Sequence, residues 1–398
     1  MRVVAGGWAR WMASRHHTTC LARHPTARNM GVQCPASTLC TVPSIAMPPS
    51  QSCSLMTHPA YRVCSSKWLP QWWWRVSRKP ARCLHTDERN LDQVTPSMGE
   101  QSSSSSSSSM VGEVVKLWTQ SLDAAEVPEA LLSAQHIVAH ILGVPRSELQ
   151  RDSTVVITLT EQQLEEVERL MTCRLARMPL QYILGEWDFH CLTLKMVPPV
   201  FIPRPETEQL VELALARLRG LEAPRVLEIG CGSGAISLAL LHALPQAECV
   251  AVDQSKHAVE LTEANASRLG LSERLTVVAG KVTIGARPPL PHSSYDLVVS
   301  NPPYVLRKDL MEVQPEIMMY EDLRALDGGK DGLEVVKAVL QHAHLLLPPG
   351  QTLLLEVDPC HPYLLPAWLE KQDLSLKLVQ VHQDFNKKER FMEFIKTS

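Results

Sequence analysis

The second half of the chain alternates short β-rich runs with helical stretches, and this alternation constrains the fold more than any other feature. Helical segments separate five candidate strands: RVLEIG (225–230), ECVAVD (248–253), LTVVAG (275–280), YDLVVSN (295–301) and QTLLLEV (351–357). Strands joined through helices form parallel sheets with helices on both faces. The sequence therefore predicts an α/β fold that binds its ligand at the carboxyl ends of the strands, where the glycines after 229, Asp253 and Asn301 would meet.

Residues 110–180 show helical spacing instead. Three segments place apolar residues on one side of a helix: VGEVVKLWTQSL, PEALLSAQHIVAHILG and TEQQLEEVERLMTCRLARM. Thr160 and Gln163 have the spacing of a capping box at the start of the third segment. We therefore expect a small helical domain that docks the substrate over 110–180, a β linker over 181–208 and the α/β domain over 209–398.

The N-terminal segment differs from the rest of the chain in charge. Residues 1–86 contain nine Arg, two Lys and no Asp or Glu, and eight serines follow at 102–109. Because the whole chain carries −3 and this segment +11, residues 87–398 carry −14. An acid-free, Arg-rich start is typical of a mitochondrial transit segment, although a basic tail without a targeting role has the same composition. We interpret 1–109 as a leader and a flexible Ser-rich linker, both disordered.

Cysteine usage and hydropathy narrow the setting. The eleven cysteines include no C-x-x-C pair, which predicts thiols packed as small hydrophobic groups in a reducing compartment and no metal site. No apolar run reaches the roughly 18 residues of a membrane-spanning helix. We therefore expect no membrane association.

The stretch LEIGCGSGAISLAL predicts a cofactor loop. Gly230, Gly232 and Gly234 follow a strand and open a helix, where glycine lets the backbone approach a ligand closely. The spacing up to Ala235 also fits a dinucleotide fingerprint, and a plain tight turn is a further alternative. Two features favour S-adenosylmethionine: Glu228 can face the cationic methionine end, and the third glycine comes one residue early for a pyrophosphate turn.

Asp253 ends the next strand, 19 residues beyond Gly234. A carboxylate there can accept hydrogen bonds from both ribose hydroxyls of either cofactor. It can also cap the helix that follows, and both roles are compatible.

Asn301-Pro302-Pro303-Tyr304 ends a buried strand with an amide, two prolines and a phenol ring. A planar –NH₂ group is a poor nucleophile, so an enzyme that methylates it must hold both N–H bonds. The Asn301 side-chain oxygen and the Pro302 carbonyl are two acceptors, and the prolines keep that carbonyl fixed. Tyr304 can stack on the planar group. The motif predicts methyl transfer to an amino or amide nitrogen, driven mainly by orientation.

With these motifs in hand, residues 110–398 resemble the HemK family, the protein-(glutamine-N5) methyltransferases of peptide chain release factors. The stretches that carry the resemblance are QYILGEWDFHCLTLKMVPPVFIPRPETEQLVE (181–212), VLEIGCGSGAISLAL (226–240), VVSNPPYV (298–305) and ALDGGKDGLEVV (325–336). The family implies a helical domain before a Rossmann-like, seven-stranded S-adenosylmethionine-dependent methyltransferase domain. Its substrate is the glutamine of a Gly-Gly-Gln tripeptide.

The resemblance also implies roles for individual residues. The cofactor-binding set would comprise Glu228, Gly230, Cys231, Gly232, Ser233, Gly234, Asp253 and Asn301. The glutamine would contact Asn301, Pro302, Pro303 and Tyr304, of which Asn301, Pro302 and Tyr304 are the candidate catalytic residues. PRPETE (203–208) would shape the cofactor pocket or the interdomain seam, or simply lead into a helix at Thr207. We expect a mitochondrial release factor as substrate, a matrix location and no direct nucleic-acid binding.

Some alternatives stay open. Lys281 stands where folds of this kind usually offer an acid near the adenine, so those contacts are expected to differ. A loop that holds a planar –NH₂ group would also suit a nucleic-acid adenine N6-methyltransferase. The net charge of −14 on residues 87–398 argues against this alternative, because such an enzyme must bind a phosphate backbone. A ribosomal-protein glutamine methyltransferase and a catalytically silent cofactor-binding protein are the other two alternatives.

Overall fold

A computed structural model describes residues 109–150 and 157–398. The predictions for the basic leader and for serines 102–108 lie outside the described residues. The capping box at Thr160 is confirmed, because the Gln163 amide donates to its hydroxyl oxygen over 3.3 Å while the Thr160 amide donates to the Gln163 side chain.

The helical part contains four helices and a short two-stranded sheet. The helices are α1 (Val111–Ala124), α2 (Ala130–Leu142), α3 (Glu161–Leu175) and α4 (Leu180–Leu184). Strand β1 (Ser109–Met110) pairs antiparallel with β2 (Thr158–Leu159), and a 3₁₀ turn spans Arg146–Gln150. Apolar faces of α1, α2 and α3 meet in one core around Trp118, Leu122, Ile137 and Met171, as the helical spacing predicted.

A β hairpin and an extended segment connect the helical part to the α/β part. Strands β3 (Glu186–Phe189) and β4 (Leu192–Lys195) pair antiparallel, and α5 (Thr207–Leu218) begins after the extended segment 196–206. Asn265 fastens the hairpin to the α/β part, because its side chain accepts from the Lys195 amide over 2.8 Å and donates to the Lys195 carbonyl over 3.2 Å.

The α/β part is built on a seven-stranded sheet. Its strands are β5 (Arg225–Ile229), β6 (Glu248–Asp253), β7 (Leu275–Ala279), β8 (Leu297–Ser300), β9 (Thr352–Glu356), β10 (Leu376–Gln383) and β11 (Glu389–Lys396). They lie in the order β10-β11-β9-β8-β5-β6-β7. All five predicted strands are confirmed, and they run parallel to one another.

Two further strands at one edge of the sheet run antiparallel, in addition to the five parallel strands that the alternation predicted. Strand β11 pairs antiparallel with β9, and β10 pairs antiparallel with β11. These two strands follow each other as a hairpin, so no helix separates them and the alternation that marked the other five strands is missing. Strand β10 is also an edge strand with much of its length exposed, which weakens its apolar signal.

Helices cover both faces of the sheet. The remaining helices are α6 (Ala235–Ala243), α7 (Lys256–Arg268), α8 (Pro315–Tyr320), α9 (Glu334–Leu346) and α10 (His361–Leu369). Helices α5, α6 and α7 contribute to one core, and α9 and α10 contribute to the other. Successive strand residues alternate between the two cores; Val226 lies in the first and Leu227 in the second.

The cysteines depart from the expected pattern at one position. Among the described cysteines, Cys231, Cys249 and Cys360 keep their thiols, as the isolated spacing predicted, whereas Cys173 is disulfide-bonded and contradicts that prediction. Among the described residues, no helix is both long and apolar enough to cross a bilayer.

Candidate active site

The glycine loop, Asp253 and Asn301 lie together at the carboxyl edge of the sheet. The Gly230 amide donates to the Val252 carbonyl over 2.7 Å, which ties the end of β5 to β6. The Gly232 amide donates to the Asp253 carboxylate over 3.0 Å. A Cβ built on Gly230 would lie 3.9 Å from the Asn301 carbonyl oxygen. Parallel strands end at the same edge, so three segments distant in sequence form one site.

The loop needs glycine at its turning points. Gly230, Gly232 and Gly234 all have positive φ, a conformation that residues with a Cβ rarely adopt. At Gly234 a Cβ would also lie 2.9 Å from the Thr262 methyl group, because α7 packs directly against the loop. At Gly232 a Cβ would meet nothing within 4 Å, so the loop has open space beside the Asp253 carboxylate.

Two polar residues of α7 hold the loop from behind, and sequence reasoning missed both. The Thr262 hydroxyl donates to the Gly232 carbonyl over 3.1 Å. The Asn265 side-chain amide donates to the Ser233 carbonyl over 3.0 Å. Both side chains are fully buried. The sequence did contain a signal for these contacts, because both polar residues lie on the apolar side of an amphipathic helix. A polar group that is buried in this way needs a hydrogen-bond partner.

Asp253 is positioned to face the loop. One of its carboxylate oxygens accepts from the Gly232 amide, and the other accepts from the Ser255 amide over 2.8 Å. The capping alternative was wrong, because Ser255 is the N-cap of α7 and no side chain caps that helix; the Asp253 carboxylate instead closes a turn just before the helix begins. Burial raises the pKa of Asp253, and the two amide donors oppose that shift. Each oxygen of a carboxylate has two lone pairs, so both can still accept from ribose hydroxyls.

Glu228 lies buried beneath the glycine loop. Its side chain is 1% exposed, and one oxygen accepts from the Ser237 amide over 2.9 Å and from the Ser237 hydroxyl. Burial raises its pKa to about 8, although the Ser237 bonds oppose the shift. These contacts join β5 to α6 beneath the loop, and a contact with the methionine end of the cofactor stays a prediction.

The Cys231 and Ser233 side chains point into the protein. The Cys231 sulfur lies 3.4 Å from the Thr262 hydroxyl oxygen, and burial raises its pKa. Ser233 is 2% exposed. At both positions the backbone is the part that a cofactor could contact.

Asn301 begins the Asn-Pro-Pro-Tyr loop and is half-buried. Its side-chain nitrogen donates to the Thr207 hydroxyl over 3.2 Å, and the Thr207 hydroxyl donates to Glu356 over 2.8 Å. Sequence reasoning did not connect Thr207 or Glu356 with this loop. Thr207 is the threonine of PRPETE, and the helix start expected there is confirmed, because α5 begins at this residue.

Tyr304 is fixed at both ends of its side chain. Its hydroxyl donates to Glu356 over 3.4 Å, and its ring meets the His361 ring edge-on at 6.5 Å between centroids. Burial raises the pKa of Tyr304, so the phenol stays neutral over the physiological range. These contacts fix the position of the ring, and its stacking on a planar substrate group stays a prediction.

The rest of PRPETE is held by an acid from the loop that follows Tyr304. Arg204 donates to both oxygens of Glu321, at 2.8 and 3.1 Å, and Glu321 also accepts from the Ile202 amide over 3.3 Å. The Arg204 guanidinium lies 4.7 Å from the centre of the Phe201 ring. This bidentate pair links the segment before α5 to the segment after the Asn-Pro-Pro-Tyr loop.

Other residues that the sequence singled out lie away from these contacts. Lys281 is exposed after β7, and the effect of this residue on the cofactor stays a prediction. His342 lies 2.8 Å from the Thr283 carbonyl, and His344 accepts from the Ser375 amide over 2.9 Å, so both side chains make contacts within the fold.

The residues at this edge fit S-adenosylmethionine. The glycine loop leaves open space beside Asp253, the carboxylate keeps accepting capacity for hydroxyls, and the Asn301 backbone approaches the loop closely. A seven-stranded sheet of this order with such a loop defines an S-adenosylmethionine-dependent methyltransferase. Comparisons with known proteins agree: residues 204–349 match the methyltransferase small domain, and residues 113–185 match the PrmC N-terminal domain.

The relatives narrow the class to one family. The chain is 46% identical over 289 residues to the MTRF1L release factor glutamine methyltransferase of Homo sapiens, covering 70% of this chain and 86% of the relative. It is 38% identical to the release factor glutamine methyltransferase of Gloeobacter violaceus, over 59% of this chain and 78% of the relative. For the Deinococcus radiodurans enzyme of the same name the identity is 36%, over 69% and 94%. The chain belongs to the HemK family of release factor glutamine methyltransferases.

Proposed function

We propose that this protein methylates N5 of the glutamine side chain in the Gly-Gly-Gln tripeptide of a mitochondrial peptide chain release factor. The observation that carries the proposal is the position of the Asn301-Pro302-Pro303-Tyr304 loop. It lies beside the glycine loop, and the Asn301 side chain is hydrogen-bonded to Thr207. The substrate class follows from the relatives, whose names specify release factor glutamine. The mitochondrial setting rests on the composition of residues 1–86.

The proposed mechanism relies on orientation. S-adenosylmethionine, when bound, supplies an electrophilic methyl group. The glutamine –NH₂ would donate one N–H to the Asn301 side-chain oxygen and the other to the Pro302 carbonyl, which leaves the nitrogen lone pair free to face the cofactor. Tyr304 would stack on the planar amide. Holding the nitrogen in line with the methyl group accounts for most of the rate enhancement. As the N–CH₃ bond forms, the S–CH₃ bond breaks with its electron pair staying on sulfur, and the nitrogen releases one of its two protons to solvent.

Mass spectrometry tests the proposal directly. The full chain is incubated with S-adenosylmethionine and a mitochondrial release factor, and the expected product has one added methyl group on the Gly-Gly-Gln glutamine. Asn301→Ala should abolish transfer while leaving the cofactor dissociation constant within about tenfold, or about 1.4 kcal/mol. Asn386→Ala, which removes an exposed amide of the β10–β11 turn, serves as the matched control. An Asn301→Ala variant with most of the wild-type rate would refute the amide-holding role.

The same assay separates the alternatives. Methylation of adenine in DNA or RNA without methylation of the release factor would establish the nucleic-acid alternative. Methylation of a ribosomal protein alone would place the substrate elsewhere in translation. No cofactor binding by calorimetry would establish the silent alternative.

Localisation is tested separately. A fluorescent fusion of the full chain should co-localise with a matrix marker, and a fusion that lacks residues 1–86 should not. Replacing the nine arginines of this segment by glutamine should also prevent import, because targeting depends on its positive charge. Import of the truncated fusion would show that residues 1–86 are not the targeting signal.

A further inference from the structure

A chain of buried hydrogen bonds lies behind Asn301. Glu356 ends β9, Thr207 begins α5, and their side chains are 1% and 3% exposed. In the parallel ladder Ser300 of β8 pairs with Leu355 of β9, so the next residue of each strand, Asn301 and Glu356, lie side by side at the sheet edge. The Thr207 hydroxyl stands between them, 3.2 Å from the Asn301 nitrogen and 2.8 Å from Glu356.

The chemistry of these three groups fixes the direction of every bond. An ionised carboxylate can only accept hydrogen bonds, so the single O–H of Thr207 must donate to Glu356. The Thr207 oxygen then has only lone pairs left for its other neighbour. The Asn301 side chain can donate only through its nitrogen, so the nitrogen must face Thr207 and the oxygen must face away from it. Rotating the Asn301 amide by 180° exchanges its oxygen and nitrogen without changing its shape. The orientation with the nitrogen towards Thr207 is therefore the lower in energy.

We propose that Thr207 and Glu356 are positioning residues that orient the Asn301 amide with its oxygen towards the substrate, and that they do so only while Glu356 is ionised. The inference rests on the proposed function, because it assigns the Asn301 oxygen to the glutamine –NH₂. It extends that function by naming two residues that do not contact the substrate. The reversed amide would present its own –NH₂ to the –NH₂ of glutamine, two donors with no acceptor between them.

Protonation of Glu356 would remove this directionality. A protonated carboxyl can donate to Thr207, whose hydroxyl is then free to donate to the Asn301 oxygen and stabilise the reversed amide. The groups that face Glu356 are Thr207 and Glu206 from the start of α5, Tyr304 from the loop after β8, and Arg390 from β11. Burial raises the pKa of Glu356 to about 7, Glu206 adds to the shift, and the bonds from Thr207 and Tyr304 together with the Arg390 charge oppose it.

Substitutions at Thr207 test the orientation. Thr207→Val keeps the shape and removes the hydroxyl, so kcat should fall by about 10- to 100-fold, equivalent to about 1.4 to 2.7 kcal/mol. KM for the release factor and the cofactor dissociation constant should stay within about threefold. Thr207→Ser should restore most of kcat. Thr352→Val is the matched control, because Thr352 is a buried threonine at the opposite end of β9. An unchanged kcat for Thr207→Val would overturn the proposal, as would loss of cofactor affinity without loss of kcat.

The pH profile tests the role of the charge. In the wild type, kcat should fall as the pH drops through about 7, because the ionised form of Glu356 is lost. Glu356→Gln should have a lower maximal kcat and no acidic limb near that pH, since an amide does not titrate. A wild-type kcat that is flat from about pH 6 to about pH 8.5 would overturn the proposal.

If wild type methylates the release factor and the Thr207 and Glu356 variants match it, the positioning role alone fails. If wild type transfers no methyl group to glutamine, the proposed function fails and the positioning role with it.

Discussion

At the residue scale, Gly328 is constrained by the backbone of Tyr304. A Cβ on Gly328 would lie 2.7 Å from the Tyr304 Cα and 2.8 Å from its carbonyl carbon. The Gly328 amide donates to the Val305 carbonyl over 2.8 Å, and the Val305 amide donates to the Leu326 carbonyl over the same distance. The segment ALDGGKDGLEVV therefore packs directly against the backbone of the Asn-Pro-Pro-Tyr loop. Its glycines are needed because two backbones approach closely.

Gly328→Ala should displace Tyr304 and lower both activity and stability. Inserting one methyl group into a closely packed site costs about 1 to 3 kcal/mol of unfolding free energy, and a displaced Tyr304 should reduce kcat by at least about tenfold. Urea unfolding and the methylation assay measure the two effects. Gly112→Ala in α1 is the control, because its Cβ would meet nothing within 4 Å; it should be neutral or slightly stabilising. A Gly328→Ala variant as stable and active as wild type would show that the segment around Gly328 can shift without a measurable loss of unfolding free energy or activity.

At the element scale, α3 of the helical part is connected to α8 of the α/β part by a buried ion pair. Arg174 lies 3.2 Å from Glu316, and the two side chains are 6% and 9% exposed. Arg174 also donates to the Ser133 hydroxyl and to the Pro128 carbonyl, both over 3.1 Å. Helix α8 follows the Asn-Pro-Pro-Tyr loop in sequence, so this contact couples the helical part to the segment beside the active site.

Arg174→Met should destabilise the protein strongly. The substitution leaves Glu316 in a buried position with only the longer contact to Arg177, at 3.5 Å, to balance its charge. Breaking one side of a buried pair costs about 3 to 5 kcal/mol, and urea unfolding measures the loss. Arg268→Met is the matched control: it removes a 2.7 Å ion pair to Glu186 in which both side chains are 45% exposed, and the loss should stay below about 1 kcal/mol. Equal losses for the two variants would rule out a special role for the buried pair.

At the scale of the whole molecule, buried carboxyls connect stability to pH. Burial raises the pKa of Glu228 to about 8 and that of Glu356 to about 7, from an ordinary value of 4.5. Between the ordinary and the raised value the folded chain binds more protons than the unfolded chain, so its stability falls as pH rises. Buried His136 acts in the opposite direction, because its pKa is lowered to about 4, but its contribution ends near its ordinary value of 6.5.

The free energy of unfolding should therefore decrease between about pH 6.5 and about pH 8.5, with a slope of about 1.5 kcal/mol per pH unit at its steepest. Glu228→Gln should remove much of this decrease, since a neutral amide in the same place has no proton to lose. Glu248→Gln, at a carboxyl whose side chain is 57% exposed, should leave the slope unchanged. Urea unfolding across this range provides the measurement. A flat wild-type profile, or a Glu228→Gln profile as steep as that of the wild type, would contradict the prediction.

The sheet and the loops at its edge could be predicted from the sequence because the signals for them come from residues close together in the chain. Alternating strands and helices, glycines after β5 and prolines after β8 each act within a few residues of their position. The antiparallel hairpin of β10 and β11 was missed because its strands are not separated by a helix. The position of Glu228 beside the glycines was visible in the sequence, whereas its bonds to Ser237 depend on how α6 docks on β5.

The sequence by itself determined the family, the order of most elements and the Asn-Pro-Pro-Tyr loop to which we assign the substrate amide. Only the tertiary structure decided which buried groups support that loop. Thr207 and Glu356 are 149 residues apart, and Thr207 connects Glu356 to Asn301 because α5 begins where β8 and β9 end. Gly328 and Tyr304 are adjacent for the same reason. Hydrogen bonds and close contacts act over a few ångströms, and the folded sheet brings distant parts of the chain within that range.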